Sequence, residues 1–468
     1  MGAVADVVGG GTPSTSDDGN FTEHGIPWLT PADLTGYQDV YISRGRRDLS
    51  EKGYRTSAAR IMPPGTVLFS SRAPVGYCAI AAGEISTNQG FKSFVLKGEL
   101  SPEYLRHYLL SSVEYAESKA SGTTFKELSG SRAAELAVPV APIPEQRRIA
   151  AKIDSLCGKS RRARDHLDHI PRLVEKYKQA VLAAAFADGF HVVRAGRVDT
   201  AAVRRALEEL SLEHQKRKTI SAGATPEALF HLPPHWCWAT AEMVVEPGAE
   251  IVYGIVQPGP KLASGVPYVR GTDIENGRIK LNQLLFTSEE IAARYERASL
   301  RGGDILLGII RATKVAIVPD ALTGANITQG TARFRPSRLI LTSFLARWLE
   351  SRVAQSWLHS KYRGIDMPGL NLRDVRQLPV PLPPLEEQHI IETSIERAFT
   401  WIDRLASEAT SARKLIDRLD QAVLAKAFRG ELVPQDPADE TASVLLERIM
   451  AERRTKPKAR RGRRAHEA

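Results

Sequence analysis

The sequence predicts an α/β (α+β) chain built twice over. Two tandem mixed-sheet domains are each followed by a long helix, and the two helices pair antiparallel as a coiled coil, giving pseudo-twofold symmetry. Three observations carry this expectation. Pro139, Pro142, Glu145, Gln146 and Ile149 recur as Pro381, Pro384, Glu387, Gln388 and Ile391, at a constant offset of 242 residues. Gln179, Val181, Leu182, Ala185 and Phe186 recur as Gln421, Val423, Leu424, Ala427 and Phe428, again 242 residues on. Between these blocks apolar residues step by alternating fours and threes, the 3.5-residue stride of a coiled-coil seam.

Residues 1–143 form the first expected domain. Its short β-branched or apolar runs are cut by Gly and Pro, which reads as a sheet-rich fold with a helix near Pro102 to Ala120. Residues 144–188 form the first helix, with Ile149, Ile153, Leu156, Leu167, Ile170, Val174, Tyr177 and Val181 on its seam. The prolines before it suit a helix start, Glu145 complements the positive end of its dipole, and Pro171 predicts a kink or break. Residues 189–231 read as a connector containing an amphipathic helix, Val198 to Gln215.

The second domain spans 232–385, with a helix near Thr342 to Lys361, and is in register with the first. Trp28 aligns with Tyr268, Gly65 with Gly303, Arg72 with Arg311, Gln89 with Gln329 and Gly122 with Gly364, at offsets drifting between 238 and 242. The counterpart of Leu232 to Trp238 would fall before Met1: either copy one dispenses with this segment or the start shown here is short, and a longer upstream reading frame encoding a Leu-Pro-rich, Trp-containing segment would decide. Residues 386–430 form the second helix, with Ile391, Ile395, Ile402, Leu405, Ile416, Leu419 and Val423 on its seam. About five heptads make each helix on the order of 50 Å long. Two equal apolar stripes in one chain most simply bury each other.

Residues 431–468 are expected to be a disordered basic tail. Of the formal net charge of +10, a net +6 lies between Ala451 and the end, eight basic residues against two acidic. This suits sequence-independent attraction to phosphates, while the body is nearly balanced.

The composition excludes several classes. No apolar run approaches the ~18 residues of a membrane span, and no secretory signal opens the chain. Cys78, Cys157 and Cys237 are too scattered for a disulfide framework or a Cys-rich zinc site, so a reducing cytoplasm is the expected location. No phosphate loop, adenine-methylation motif, HExxH or GxSxG occurs, and His166 and His169 lack a metal-ligand partner spacing. Gly9, Gly10, Gly11 and Thr12 read as a flexible turn with no convincing strand before it. No catalytic residue and no metal site is assigned.

The duplicated Glu145-Gln146 and Glu387-Gln388 blocks, each leading into a long helix that ends in Phe186 or Phe428, resemble the specificity subunit of type I restriction-modification systems over residues 1 to 432. The resemblance implies two target recognition domains, each reading one half of a bipartite double-stranded DNA site. It also implies conserved helices that act as spacer and as docking surface for two adenine-N6 methyltransferase subunits, to which motor-nuclease subunits add. S-adenosylmethionine, ATP and magnesium would then belong to those partners, with no cofactor in this chain. Because the domains are divergent copies, the expected target is asymmetric. The same fold would also suit a methylation-only or phage-defence complex, and a coiled-coil protein-interaction scaffold is the reading from another class.

Base readout needs planar donor-acceptor side chains among phosphate contacts. The candidates in the first domain are Arg44, Arg46, Arg47, Lys52, Arg55, Arg72, Asn88, Gln89, Lys92, Thr123 and Lys126. In the second they are Arg270, Thr272, Arg311, Lys314, Asn326, Gln329, Lys361 and Arg363. Residues shared between the copies, such as Gln89 and Gln329, fit phosphate positioning or fold maintenance better than readout, which belongs in unmatched loops and at Arg44 to Arg47.

Overall fold

A computed structural model describes residues 1–188, 201–217 and 226–455, apart from Ala73, Glu99, residues 123–125 and Ile365. The chain divides into two compact units, Met1–Asp168 with Thr410–Ala468, and His169–Ala409. Each unit therefore holds one sheet domain, part of the helix that follows its own or the preceding domain, and part of the second-copy helix.

In the first unit a five-stranded sheet runs Ala5–Gly9, Lys92–Leu96, Val67–Ser71, Val75–Ala81, Tyr41–Ile42 in spatial order, beside a four-stranded sheet of Phe21–Thr22, Arg47–Leu49, Ile26–Leu29 and Ser86–Thr87. The second unit repeats the plan with a four-stranded sheet, Val252–Tyr253, Thr331–Phe334, Ile305–Gly308, Val315–Ile317, and a three-stranded one, Leu285–Thr287, Val266–Val269, Asn326–Ile327. In both, the last pairing of the smaller sheet is parallel and the strand before it antiparallel. The central strands are buried along their whole length, which explains why they read as unbroken apolar runs rather than alternating ones. Both expected domain helices form as two pieces, Pro102–Ser111 with Val113–Ser118, and Thr342–Glu350 with Arg352–Ser360. Ser351 divides the second pair, its Oγ accepting from the Ala354 N–H at 3.3 Å.

The first-copy helix breaks as expected near Pro171, into Ile143–Asp168 and Ile170–Asp188, whereas the second-copy helix runs unbroken from Leu385 to Ala427. The helices pair antiparallel within each unit. In the first, Ile149 and Ile153 share a core with Val423 and Ala427, Arg164 pairs with Asp417 and Asp420, and Asp168 with Arg413. In the second, Leu182, Ala185 and Phe186 share a core with Ile391, Ile395 and Phe399, and Lys178 pairs with Asp403 at 2.6 Å.

Three seam assignments are corrected. Tyr177, Leu405 and Leu419 are 61%, 42% and 55% exposed. The inward positions beside them are Lys178, Ala406 and Asp420, one residue later in each case. A helix of 3.6 residues per turn drifts about 20° per heptad against a strict 3.5 stride, so successive steps of four are needed to stay on the packed face.

The duplicated motifs have a common mechanical role. Gln146 is fully buried; its Oε1 accepts from the Ser101 N–H and its Nε2 donates to the Ala141 carbonyl, both at 2.8 Å. Gln388, equally buried, accepts from the Leu341 N–H at 2.8 Å and donates to the Leu339 and Pro383 carbonyls at 2.9 Å. Each glutamine thus fastens the start of a long helix to the backbone at the start of a domain helix. Leucine at 388 would fill the volume but orphan a buried N–H and two carbonyls, at a cost of roughly 2–5 kcal/mol. Denaturant unfolding of Gln388→Leu should show that loss; an unchanged midpoint would remove the clamp from the account.

The closing phenylalanines are as specific. Phe186 meets Phe344 and Trp348 edge-on at 5.3 and 5.1 Å, and Phe428 meets Tyr104 and Tyr108 at 5.3 and 5.2 Å. Each helix therefore ends against the domain of the other copy.

The tail expectation is also corrected. Ala442–Thr455 is a helix whose Leu445 and Ile449 are buried in the first unit's core, and Arg148 ties the segment before it through Asp439 at 2.6 Å. It matches the connector helix Ala202–Arg217, where Val203 and Leu207, also 242 residues earlier, pack on the second unit's core. Residues 456–468, with most of the tail's charge, and connector residues 189–200 and 218–225 lie outside the described residues.

Candidate nucleic-acid interface

The same backbone hydrogen bonds gather the same loops in both units. In the first, the Gly11 N–H reaches the Thr87 carbonyl (2.9 Å), Asn88 reaches Leu29 (2.9 Å), Ser71 reaches Gly90 (2.7 Å) and Leu128 reaches Ser71 (2.9 Å). In the second, Ile255 reaches Ile327 (2.7 Å), Thr328 reaches Val269 (3.1 Å), Ile309 reaches Gly330 (2.9 Å) and Leu370 reaches Ile309 (2.8 Å). The Gly-rich turn belongs to this junction. Contrary to expectation a strand, Ala5–Gly9, precedes it, and a Cβ on Gly10 would fall 2.0 Å from the Thr87 carbonyl oxygen. Gly254 meets the Ile327 oxygen at 1.9 Å in the same way, so both glycines serve close backbone approach rather than phosphate cradling.

These contacts bring together part of the expected set. In the first unit Gln89 accepts from the Thr12 hydroxyl, while Lys92 and Arg72 both face Glu127, at 3.4 and 3.6 Å. Asn88 spends its Oδ1 on the Gly90 N–H (2.9 Å), a turn-forming bond. The basic loop joins this edge through Asp33, which caps the turn after Thr30 and accepts from the Arg46 N–H at 3.1 Å. Arg46 is 84% exposed, its Nε loosely paired with Asp33 at 4.0 Å. Arg44 lies 3.7 Å from the buried Asp48 carboxylate, and Arg47 stacks over Phe21 at 4.3 Å. Lys52 and Arg55 sit on a short helix paired with Asp17 and Glu51. Lys126 is exposed, and Thr123 lies outside the described residues.

In the second unit Arg311, Lys314 and Gln329 are exposed around the junction. Arg311 has a left-handed backbone, φ +66°, with its N–H bound to the Pro368 carbonyl at 2.8 Å. Such a conformation at a non-glycine residue costs free energy and concentrates where a side chain must be aimed. The shared bonds make Ser71 equivalent to Ile309, so Arg311 stands one residue beyond the counterpart of Arg72; the sequence pairing of the two arginines is corrected accordingly. Arg363 bridges to Gly369 beside it and holds Asp374 at 3.3 Å while 73% exposed. Lys361 packs over Trp357 at 5.0 Å, and Thr272 is exposed on the turn after Arg270.

Two candidates are occupied elsewhere. Asn326 is 2% exposed, its amide nitrogen pointing to the Ala292 and Tyr295 carbonyls and its oxygen accepting from the Ile327 N–H, so it is an internal fastener. Arg270 forms a two-point bond to Asp273 at 2.7 and 3.0 Å that closes its own turn. Sequence reasoning missed Thr12 and the exposed Tyr253, Val256 and Met367 flanking the junction. Exposed apolar side chains beside Gly-rich turns were the available signal.

Among the described residues no group of His, Cys, Asp and Glu could hold a metal ion, and no helix is long and apolar enough to cross a membrane. The cysteines are free, and burial raises the Cys78 thiol to about 12 and the Cys237 thiol to about 11, which makes them inert rather than nucleophilic.

Comparison with known proteins agrees with this arrangement. The family model described as "Type I restriction modification DNA specificity domain" matches residues 1–163 and 260–403, one stretch in each copy. The EcoBI specificity subunit of Escherichia coli is 31% identical over 369 residues, 77% of this chain and 73% of that one. The MjaIX specificity subunit of Methanocaldococcus jannaschii is 39% identical over 173 residues, 36% and 40% of the two chains. A chain solved in work on complex assembly and conformational transition of the type I R-M system superposes with a TM-score of 0.60 at 20% identity, over 92% of this chain and 97% of that one, which bears on the fold. Membership of such a complex implies DNA and the methyltransferase and restriction subunits as partners, and the specificity domain is itself non-catalytic. The chain belongs to the type I restriction-modification DNA specificity family and is the specificity subunit of such a system.

Proposed function

We propose that each sheet domain reads one half of an asymmetric bipartite duplex through its loop junction, and that the long helices set the gap and dock two adenine-N6 methyltransferase subunits. One observation carries the reading: equivalent backbone bonds present different side chains, with the half-buried Thr12 and exposed Arg46 in one unit against the exposed Arg311 and Arg363 in the other. A common scaffold with divergent side chains suits two different half-sites. Gln89 and Gln329 recur and fit phosphate or sugar positioning; Arg46 and Arg311 have the planar donors that guanine recognition uses. Such a subunit works in the cytoplasm, where host DNA and its partners are.

Mapping N6-methyladenine across the host genome with and without the gene tests this. Bipartite asymmetric sites should lose methylation in the deletion strain, and an unchanged methylation map would sink the proposal. The spacer role has its own test. Removing one heptad from each long helix shortens each by ~10 Å, so the gap should contract by about three base pairs at ~3.4 Å each. An unchanged gap would show that the helices do not set it.

A further inference from the structure

The second unit holds another cationic centre, at the far end of its strands from the loop junction. Strand Thr331–Phe334 begins beside Gly330, and its register with Ile305–Gly308 places Arg333 and Arg335 toward the opposite end. Arg333 is 2% exposed. Its Nη2 donates to the Glu250 and Arg297 carbonyls at 3.1 Å, but Nε and Nη1 are buried with no partner. Beside it opens a cavity of about 540 Å³ whose wall includes Arg297, Arg301, Arg333 and Arg335.

The charges in this wall do not cancel. The four guanidinium groups share the lining with two carboxylates, Glu250 and Glu296, with Asp304 and Glu246 behind them; Asp304 is taken by Arg335 and Glu250 is already shared with Arg376 at 3.7 Å. Asp304 engages Arg335 at two points, 2.8 Å each, so with Glu246 it offsets the charge of Arg333 only from a distance and bonds neither its Nε nor its Nη1. Among the described residues no ion pair or hydrogen bond occupies the side chain of Arg297 or Arg301, although the Arg301 backbone N–H donates to Asp304 at 2.8 Å. Burial, together with the neighbouring Arg335 and Arg301, pushes Arg333 down to about 10. A buried guanidinium with unpaired N–H groups is costly unless an opposite charge is supplied. Planar guanidinium groups converging on one space are matched to a tetrahedral oxyanion.

We propose that this cavity binds an oxyanion of the phosphate class, which Arg297 and Arg301 gather at its mouth and which compensates the buried charge of Arg333. A free phosphoryl ligand and a backbone phosphate of bound DNA share this chemistry. The site is separate from the loop junction proposed for base readout.

The test uses the full-length chain, titrated with inorganic phosphate against chloride at constant ionic strength and followed by thermal unfolding and calorimetry. Phosphate should stabilise the chain saturably, and Arg297→Ala and Arg301→Ala, both at exposed positions, should each weaken phosphate binding by about tenfold. Arg333→Met should abolish the response. If that variant does not fold, the two alanine variants carry the test. A duplex containing the recognised site distinguishes the sources. If Arg301→Ala weakens duplex binding and phosphate competes with duplex, the ligand is a DNA phosphate; if duplex affinity is unchanged while phosphate binding falls, it is a free anion. No saturable phosphate effect, or one that all three variants retain, overturns the proposal whatever the outcome for base readout.

Discussion

Exchanging residues 1–140 for the corresponding segment of another family member should replace one half of the methylated sequence and leave the other half as it was. The junction at residue 140 explains why a foreign domain can be accepted. Gln146 holds the first domain through the backbone N–H of Ser101, a group that any incoming non-proline residue supplies, and through the carbonyl of Ala141, which the exchange retains. What the donor must provide is an apolar cover for Ile149, Ile153 and Phe428, the role Tyr104, Leu105 and Tyr108 play here. The second unit keeps its own core around Phe344, Trp348 and Phe186, which the exchange does not touch. Each wrong base pair costs ~1–3 kcal/mol, so even two mismatches in the old half-site should lower occupancy by roughly a hundredfold. Sequencing of methylated adenines in cells carrying the hybrid reads the result directly. A change in both halves, or in neither, would overturn the one-domain, one-half-site assignment.

The duplication was legible in the sequence because it left a metric trace. A constant offset survives divergence when helix length between two anchored ends is held fixed, and Gln146 with Phe186, and Gln388 with Phe428, are those anchors. The break at Pro171 was legible for a local reason, the missing N–H and the ring clash. What was not legible depended on tertiary choice. The inward turn from Leu405 to Ala406 and from Leu419 to Asp420 follows from the partner helix, since Arg164 draws Asp420 inward and no hydropathy rule favours Asp over Leu. The helix Ala442–Thr455 was hidden by its charge, its buried face amounting to little more than Leu445 and Ile449. Asn326 looked like a base reader because sequence cannot tell an amide that fastens two loops from one that faces solvent. The Arg72 and Arg311 pairing failed by one residue, and a single inserted residue in a turn is enough to redirect a side chain.

Aspartate at both Trp401 and Leu405 should detach methyltransferase from the second unit while leaving the fold and DNA loops intact. Trp401 is 63% exposed, one turn from Leu405 on the second-copy helix, and in the same unit Leu173 and Tyr177 are also exposed on the first-copy helix. The inward positions are already filled by Phe399, Ile402 and Ala406, so these outer side chains contribute little to the unit's own packing. An otherwise polar helix that keeps a tryptophan and leucines in water has the signature of a protein-binding face. The first unit repeats the feature with Leu415 and Leu419, 60% and 55% exposed, so on the proposed reading each of two methyltransferase copies would have one face. Fully burying a large apolar side chain is worth ~1.5–3 kcal/mol, and the double substitution should therefore weaken association by about a hundredfold or more. Co-expression and size-exclusion chromatography should show the complex dropping from two methyltransferase copies to one, with Leu415→Asp and Leu419→Asp removing the other. The thermal midpoint of the isolated chain should hold, because the altered positions face solvent. Retention of both copies in the four-site variant would place the docking face elsewhere on the subunit.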